Sequence, residues 1–262
     1  MPSPGDRTRD TASTILADRT SPPPPDHQEE PAPAPTAAEV ARDDSPFAGG
    51  RTWLTIGLML TIVAVGFQAL AVATVLPAVI AELGDLHLYG WAFSAFLLTQ
   101  LVGIVVSGLL ADEHGPALPF GLGVLFFAVG LLVGGLAPSM PALIAGRALQ
   151  GLGGGAVFST AYVAIGRGYP ASSRPRMLAL LSTGWVVPGL IGPAIAGLMA
   201  EALGWRAVFL VLVPMPLLAG LLAFPHLRGI PKGTPAADAR SRVISAIVLA
   251  IVKSHSPSPA PS

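Results

Sequence analysis

The chain has 262 residues, with 15 Lys and Arg balanced by 15 Asp and Glu. Hydrophobic residues make up 52% and charged residues only 11%, against roughly a quarter charged in soluble domains, which excludes an ordinary soluble fold. Cysteine is absent, so disulfides, thiolate metal sites and a cysteine nucleophile are excluded as well.

The balanced charge hides an acidic start and a basic remainder. Nine of the acids lie in residues 1–51 with five of the bases, leaving six acids and ten bases beyond Arg51. Residues 1–50 read as a disordered, Pro-rich tail: Pro22–Pro25, Glu29–Glu30 and Asp43–Asp44 bury too little apolar surface to offset the entropy of ordering. No apolar signal segment precedes the first span.

An uncharged run follows from Thr52 to Ala81, longer than the roughly 20 residues that cross a bilayer core. Leu88–Ala111 is the second such run. The third and fourth are predicted at about 117–137 and 142–165, parted by Ala137-Pro138-Ser139-Met140-Pro141. Met177–Ala200 and Ala207–Pro225 complete six. The predicted fold is therefore an all-α membrane protein: a six-helix body over 51–226, the tail over 1–50, and a polar end over 227–262. Gly130/Gly134, Gly151/Gly155 and Gly103/Ser107 are small-xxx-small pairs that let helix backbones approach closely in lipid.

With the tail in the cytoplasm, the inner loops carry Arg51, Arg167, Arg174, Arg176, Arg228, Lys232, Arg240 and Arg242, and the outer loops Arg206 alone. The excess of inner positive charge places both termini on the cytoplasmic side of the cell membrane. Trp53 on the inner side and Tyr89, Trp91 and Trp205 on the outer side are expected in aromatic belts. Val243–Val252 is apolar but too short to span. An interfacial helix and a seventh span cut short are both open there.

Four stretches stand out on these spans: GLLADEHG over 108–115, GRALQGLGGGA over 146–156, WVVPGLIGPAIAGL over 185–198, and GWRAVF over 204–209. In this order and register they resemble the N-terminal half of a major facilitator superfamily transporter, most nearly a drug:proton antiporter. Gly108, Asp112 and Gly115 match the family's loop motif, Arg147, Gln150 and Gly151 its fourth-helix motif, and Gly192, Pro193 and Gly197 its fifth-helix antiporter motif. Ala196 replaces one glycine of the last. The loop departs further: Glu113 follows Asp112 and Pro116-Ala117 follow Gly115, where the family pattern continues with basic residues. The resemblance also implies a membrane-embedded carboxylate nine residues before Pro77, where this chain has Gln68.

A cation inside a span is a functional-site hypothesis by default. Arg147, Gln150 and Gln68 are expected to form a polar cluster lining the substrate cavity, against the plainer reading in which Arg147 satisfies backbone carbonyls at a helix contact. Trp185 is a candidate to stack on a lipophilic substrate, against simple packing.

Nothing catalytic emerges. Gly151–Gly155 lies inside a span without the βαβ context of a dinucleotide loop, and the five histidines lack metal spacing. No cofactor, metal or nucleic acid is expected. The resemblance implies two three-helix units related by inverted topology, and proton-coupled export of small lipophilic compounds. The expected partners are a small-molecule substrate, the lipid bilayer and a second six-helix half. The competing expectations are a truncated, inactive half-transporter and a non-transporting scaffold acting through the Pro-rich tail.

Overall fold

The computed structural model describes residues 45–233. The expectations for residues 1–44 and for Val243–Val252 lie outside that range. Among these described residues, seven α-helices build six apolar spans: α1 Thr52–Leu83, α2 Tyr89–His114, α3 Ala117–Gly135, α4 Met140–Gly168, α5 Arg174–Leu203, and a last span divided into α6 Trp205–Leu210 and α7 Pro214–Leu227. Among the described residues there is no strand. The 19 residues of α3 cover about 28 Å at 1.5 Å per residue, close to a hydrocarbon core of about 30 Å. The 32 residues of α1 reach about 48 Å, so its ends extend beyond that core.

The spans fall where the uncharged runs predict them, with one difference. The sixth was expected as one helix over Ala207–Pro225. The chain instead starts at Trp205, breaks after Leu210 and restarts at Pro214. Pro214 and Pro216 carry no N–H to continue the α ladder. Tighter bonds cross the break, from Val213 N–H to the Leu210 carbonyl at 3.2 Å and from Met215 N–H to that of Leu212 at 3.1 Å.

Helix α4 is wedged between α2 and α3 with almost no side chain in between. A Cβ added at Gly151 or Gly155 would overlap the Phe96 or Gln100 carbonyl oxygen of α2, and one at Gly153 would overlap the Phe127 nitrogen of α3. At Gly146 it would stand 2.6 Å from the Gly134 nitrogen. The GLGGG run that superficially suggests a nucleotide loop is thus a packing seam, and the expected small-residue pairs lie on it. In lipid, where apolar burial drives no association between helices, such close van der Waals contact is a main source of cohesion.

Elsewhere side chains mediate the packing. Helix α1 lies against α5 and α7, burying Leu58, Ile62, Val65, Val72 and Leu76. Exchanging the first three spans with the last three maps the α2–α4 contact onto α5–α1 and the α3–α4 contact onto α7–α1. The segment before α1 is fastened to the end of α4. Thr55 donates to the Pro46 carbonyl at 2.7 Å. Its single proton being used there, the Tyr169 hydroxyl at 2.8 Å donates to the Thr55 oxygen. Burial raises the Tyr169 phenol above its ordinary pKa.

Trp205, expected in the outer aromatic belt, begins its span and is covered by protein, at 3% exposure. Its indole N–H donates to Glu82 at 2.7 Å, and the Arg206 guanidinium, which also binds Glu82, lies 4.3 Å over its ring. With its N–H satisfied, the indole can be covered by protein at the end of the span.

Candidate functional site

At the end of α2, Asp112 pairs with Arg167 from the last turn of α4. The guanidinium is 2.5 Å from the carboxylate oxygen and donates a second bond to the Ala111 carbonyl at 3.1 Å. The loop lacks the basic residues of the family pattern, yet its acid finds a cation on another helix. Gly115 ends α2 at φ 86°, with its N–H on the Ala111 carbonyl at 3.0 Å. That conformation is strained for any residue with a side chain, which explains a glycine closing the motif. Gly108 faces Ser159 of α4. Both ionic partners are partly exposed, so the pair is worth about 0.2–1 kcal/mol. Asp112→Ala and Arg167→Ala are each expected to lower the midpoint of thermal unfolding in detergent slightly, and the double variant no further than the worse single one. Additive losses in this double-mutant cycle would mean the pair does not act as a unit.

Deeper in the bundle, Arg147 lies seven residues into α4, about 10 Å from its start. Its side chain is 1% exposed. The Nε donates to the Ala92 carbonyl of α2 at 3.2 Å, and a terminal nitrogen binds the Gln150 carboxamide oxygen. The guanidinium carbon stands 4.2 Å from the centre of the Phe96 ring. Gln150 passes the chain of bonds on, donating from Nε2 to the Gly130 carbonyl of α3 at 3.0 Å. The fourth-helix motif therefore ties three helices together through one buried cation. Charge-assisted hydrogen bonds contribute about 1.5–3 kcal/mol each and a desolvated cation–π contact about 2. Together these terms exceed the roughly 2.5–3.5 kcal/mol that insertion of an arginine at a span centre costs.

Gln68 is fully buried in α1, and neither its amide nitrogen nor its oxygen has a hydrogen-bond partner among the described residues. Val65 lies against Gly154. Three residues further on, about 4.5 Å along the helix, Gln68 comes level with Gln150 to within a turn, without bonding to it. The structure brings Arg147 and Gln150 together and leaves Gln68 unbonded beside them. Trp185 of α5 stacks edge-on against Phe158 of α4, with ring centres 6.3 Å apart, and packs on Gly66 of α1. Its indole nitrogen is likewise buried without a partner.

The fifth-helix motif rides on α1. Gly184, Pro188, Gly192 and Ala196 form its buried stripe at four-residue spacing, while Pro193 faces outward. Gly192 meets Phe67 and Gly197 meets Thr74. Ala196, the departure from the motif, is fully buried, so the extra methyl is accommodated. Pro188 offers no N–H to the Gly184 carbonyl, four residues earlier, and that oxygen also faces Gly66.

Three contributors escape the sequence motifs: Phe96 under Arg147, Arg167 opposite Asp112, and Phe158 beside Trp185. Phe96 had a faint signal, an aromatic on a span flanking the one that carries the buried cation. Arg167 had a clearer one, a basic residue in the last turn of α4 at the loop's end of the bundle.

Residues 20–257 match the sequence profile of the Major Facilitator Superfamily. The chain belongs to that superfamily. Among its curated relatives are two proteins of Bacillus subtilis. Multidrug resistance protein 3 is 28% identical over 62% of this chain and 32% of its own length, and multidrug transporter protein MdtP is 29% identical over 68% and 33%. The Mycobacterium tuberculosis protein named "Probable multidrug-efflux transporter Rv1634" is 37% identical over 57% and 31%. The chain thus spans about a third of the length of the curated relatives it matches. A crystal structure of the peptide transporter POT with alafosfalin aligns at TM-score 0.58 and 18% identity, covering 83% of this chain and 50% of that one. That likeness shows the fold. This member of the superfamily is a multi-pass membrane protein with the six-helix fold of transporters.

Proposed function

We propose that this bundle is one half of an efflux transporter that moves small lipophilic compounds out across the cytoplasmic membrane, driven by the proton gradient. The observation that carries the reading is a pair of buried polar groups on adjoining helices that no protein partner uses: the Gln68 amide of α1, within a turn of the level of Gln150, and the Trp185 indole N–H of α5, which packs on α1 at Gly66. An unsatisfied buried polar atom costs about 1–3 kcal/mol. A substrate carrying a donor or acceptor relieves that cost when it enters. The multidrug names of the relatives support the same substrate class.

Charge supports an orientation with both ends cytoplasmic. Arg51, Arg167, Arg174, Arg176, Arg228 and Lys232 flank one end of the bundle, whereas Arg206 at the other is tied to Glu82. Transport needs a second half to rock against. Helices α2 and α5 suit that contact, for most of their apolar length is left uncovered, whereas half or more of α1, α3 and α4 is buried. No carboxylate is buried among the described residues, so the acid that couples proton flow is supplied from outside them.

Efflux of ethidium, a lipophilic cation, from energised cells producing the chain tests this. Efflux above that of cells without it, abolished by a protonophore, is expected, and both Gln68→Leu and Trp185→Phe should slow it at equal membrane abundance. Efflux indistinguishable from the empty-vector cells would refute the proposal.

A further inference from the structure

The end of the bundle that carries Asp112 also holds a cleft of about 500 Å³, between the start of α3 and the chain leaving α7. Arg228 and Lys232 line it, with His114, Leu118 and Phe224. Among the described residues, neither Arg228 nor Lys232 takes part in an ion pair. The Arg228 guanidinium lies 4.6 Å over the Phe224 ring, which holds its charge against the α3–α7 seam. A second cleft of about 290 Å³ opens on the same seam, walled by Leu125, Leu217, Leu221 and again Phe224. Its walls carry no polar side chain, and Gly121 and Gly220 deepen it. A cationic chamber just past the end of a span therefore continues, across one shared aromatic ring, into an apolar trough running along the span.

We propose that the two clefts together bind one phospholipid with an anionic head, the phosphate between Arg228 and Lys232 and an acyl chain in the trough. A free phosphate ester would satisfy only the upper cleft. The trough beneath it, in a six-span membrane body, selects the lipid. Basic pockets between spans at the membrane surface hold anionic heads in this way. The inference rests on the membrane-spanning fold and not on the transport reading.

Native mass spectrometry of the full chain, released from micelles containing equal phosphatidylglycerol and phosphatidylcholine of matched chains, tests it. Retention of phosphatidylglycerol over phosphatidylcholine is expected. Removing both charges with Arg228→Gln and Lys232→Gln should weaken it about thirtyfold. Arg176→Gln, a single charge loss at the same end but away from the clefts, should leave it unchanged. Equal retention of both lipids, an equal loss in Arg176→Gln, or displacement by millimolar glycerol 3-phosphate would each overturn the assignment, the last by giving the site to a soluble ester.

Discussion

Arg147→Ala is expected to cut substrate efflux at least tenfold, the worth of one charge-assisted hydrogen bond of about 1.5–3 kcal/mol, while all six spans still insert. The two halves of this expectation come from different terms. Insertion becomes easier, because a cation that costs about 2.5–3.5 kcal/mol at a span centre is gone. What is lost is the fixed connection between the Ala92 carbonyl, Gln150 and the Phe96 ring. Arg147→Lys should recover little, since a point charge neither stacks flat on Phe96 nor reaches both acceptors at once. Efflux at matched membrane abundance is the measurement. Unchanged efflux in Arg147→Ala would reduce the residue to a packing element and sink the cluster.

Gly155→Leu is expected to do the opposite, destroying the fold rather than the site. Its side chain would drive into the Gln100 carbonyl of α2, and backbone cannot move aside as a rotamer can. Overpacking by a methylene or two already costs about 1–3 kcal/mol, and a whole isobutyl group against backbone exceeds that. The variant should aggregate on size-exclusion chromatography in mild detergent. Gly166→Ala is the matched control: nothing lies within 4 Å of the added Cβ, and alanine is the better helix former by about 0.5–1 kcal/mol. A Gly155→Leu protein that elutes as the parent does would show that α2 and α4 are not in backbone contact.

The spans were legible in the sequence because lipid imposes one simple condition, about 20 largely apolar residues, and charges at 51, 82, 112, 174 and 206, with the prolines at 138 and 141, punctuate the chain. The break at Leu210–Pro214 was not, although Pro214 and Pro216 were in plain view. Hydropathy does not register a missing N–H. The motifs singled out Arg147 and Gln150 but gave no hint of Phe96, because a contact between spans two and four depends on a rotation about each helix that only packing sets. The covering of Trp205 was hidden for a related reason. An exposed Trp and a covered Trp have the same residue type, and the Glu82 carboxylate that receives the indole N–H lies on another span. The pairing of Asp112 with Arg167 belongs to the same class of fact: each charge was visible, their meeting was not.

The glycine seam of α4 has a mechanical consequence. Where backbone meets backbone there are no rotamers to change, so α2, α3 and α4 have no low-energy way to slide past one another and must travel as one solid block. The contact of α1 with α5 is made instead by Phe67, Leu70 and Thr74 resting on small residues, a surface that permits shear of the kind packed helices show. Any adjustment between α1 and α5 can therefore be taken up by side-chain rotamers, which the glycine seam of α4 does not offer.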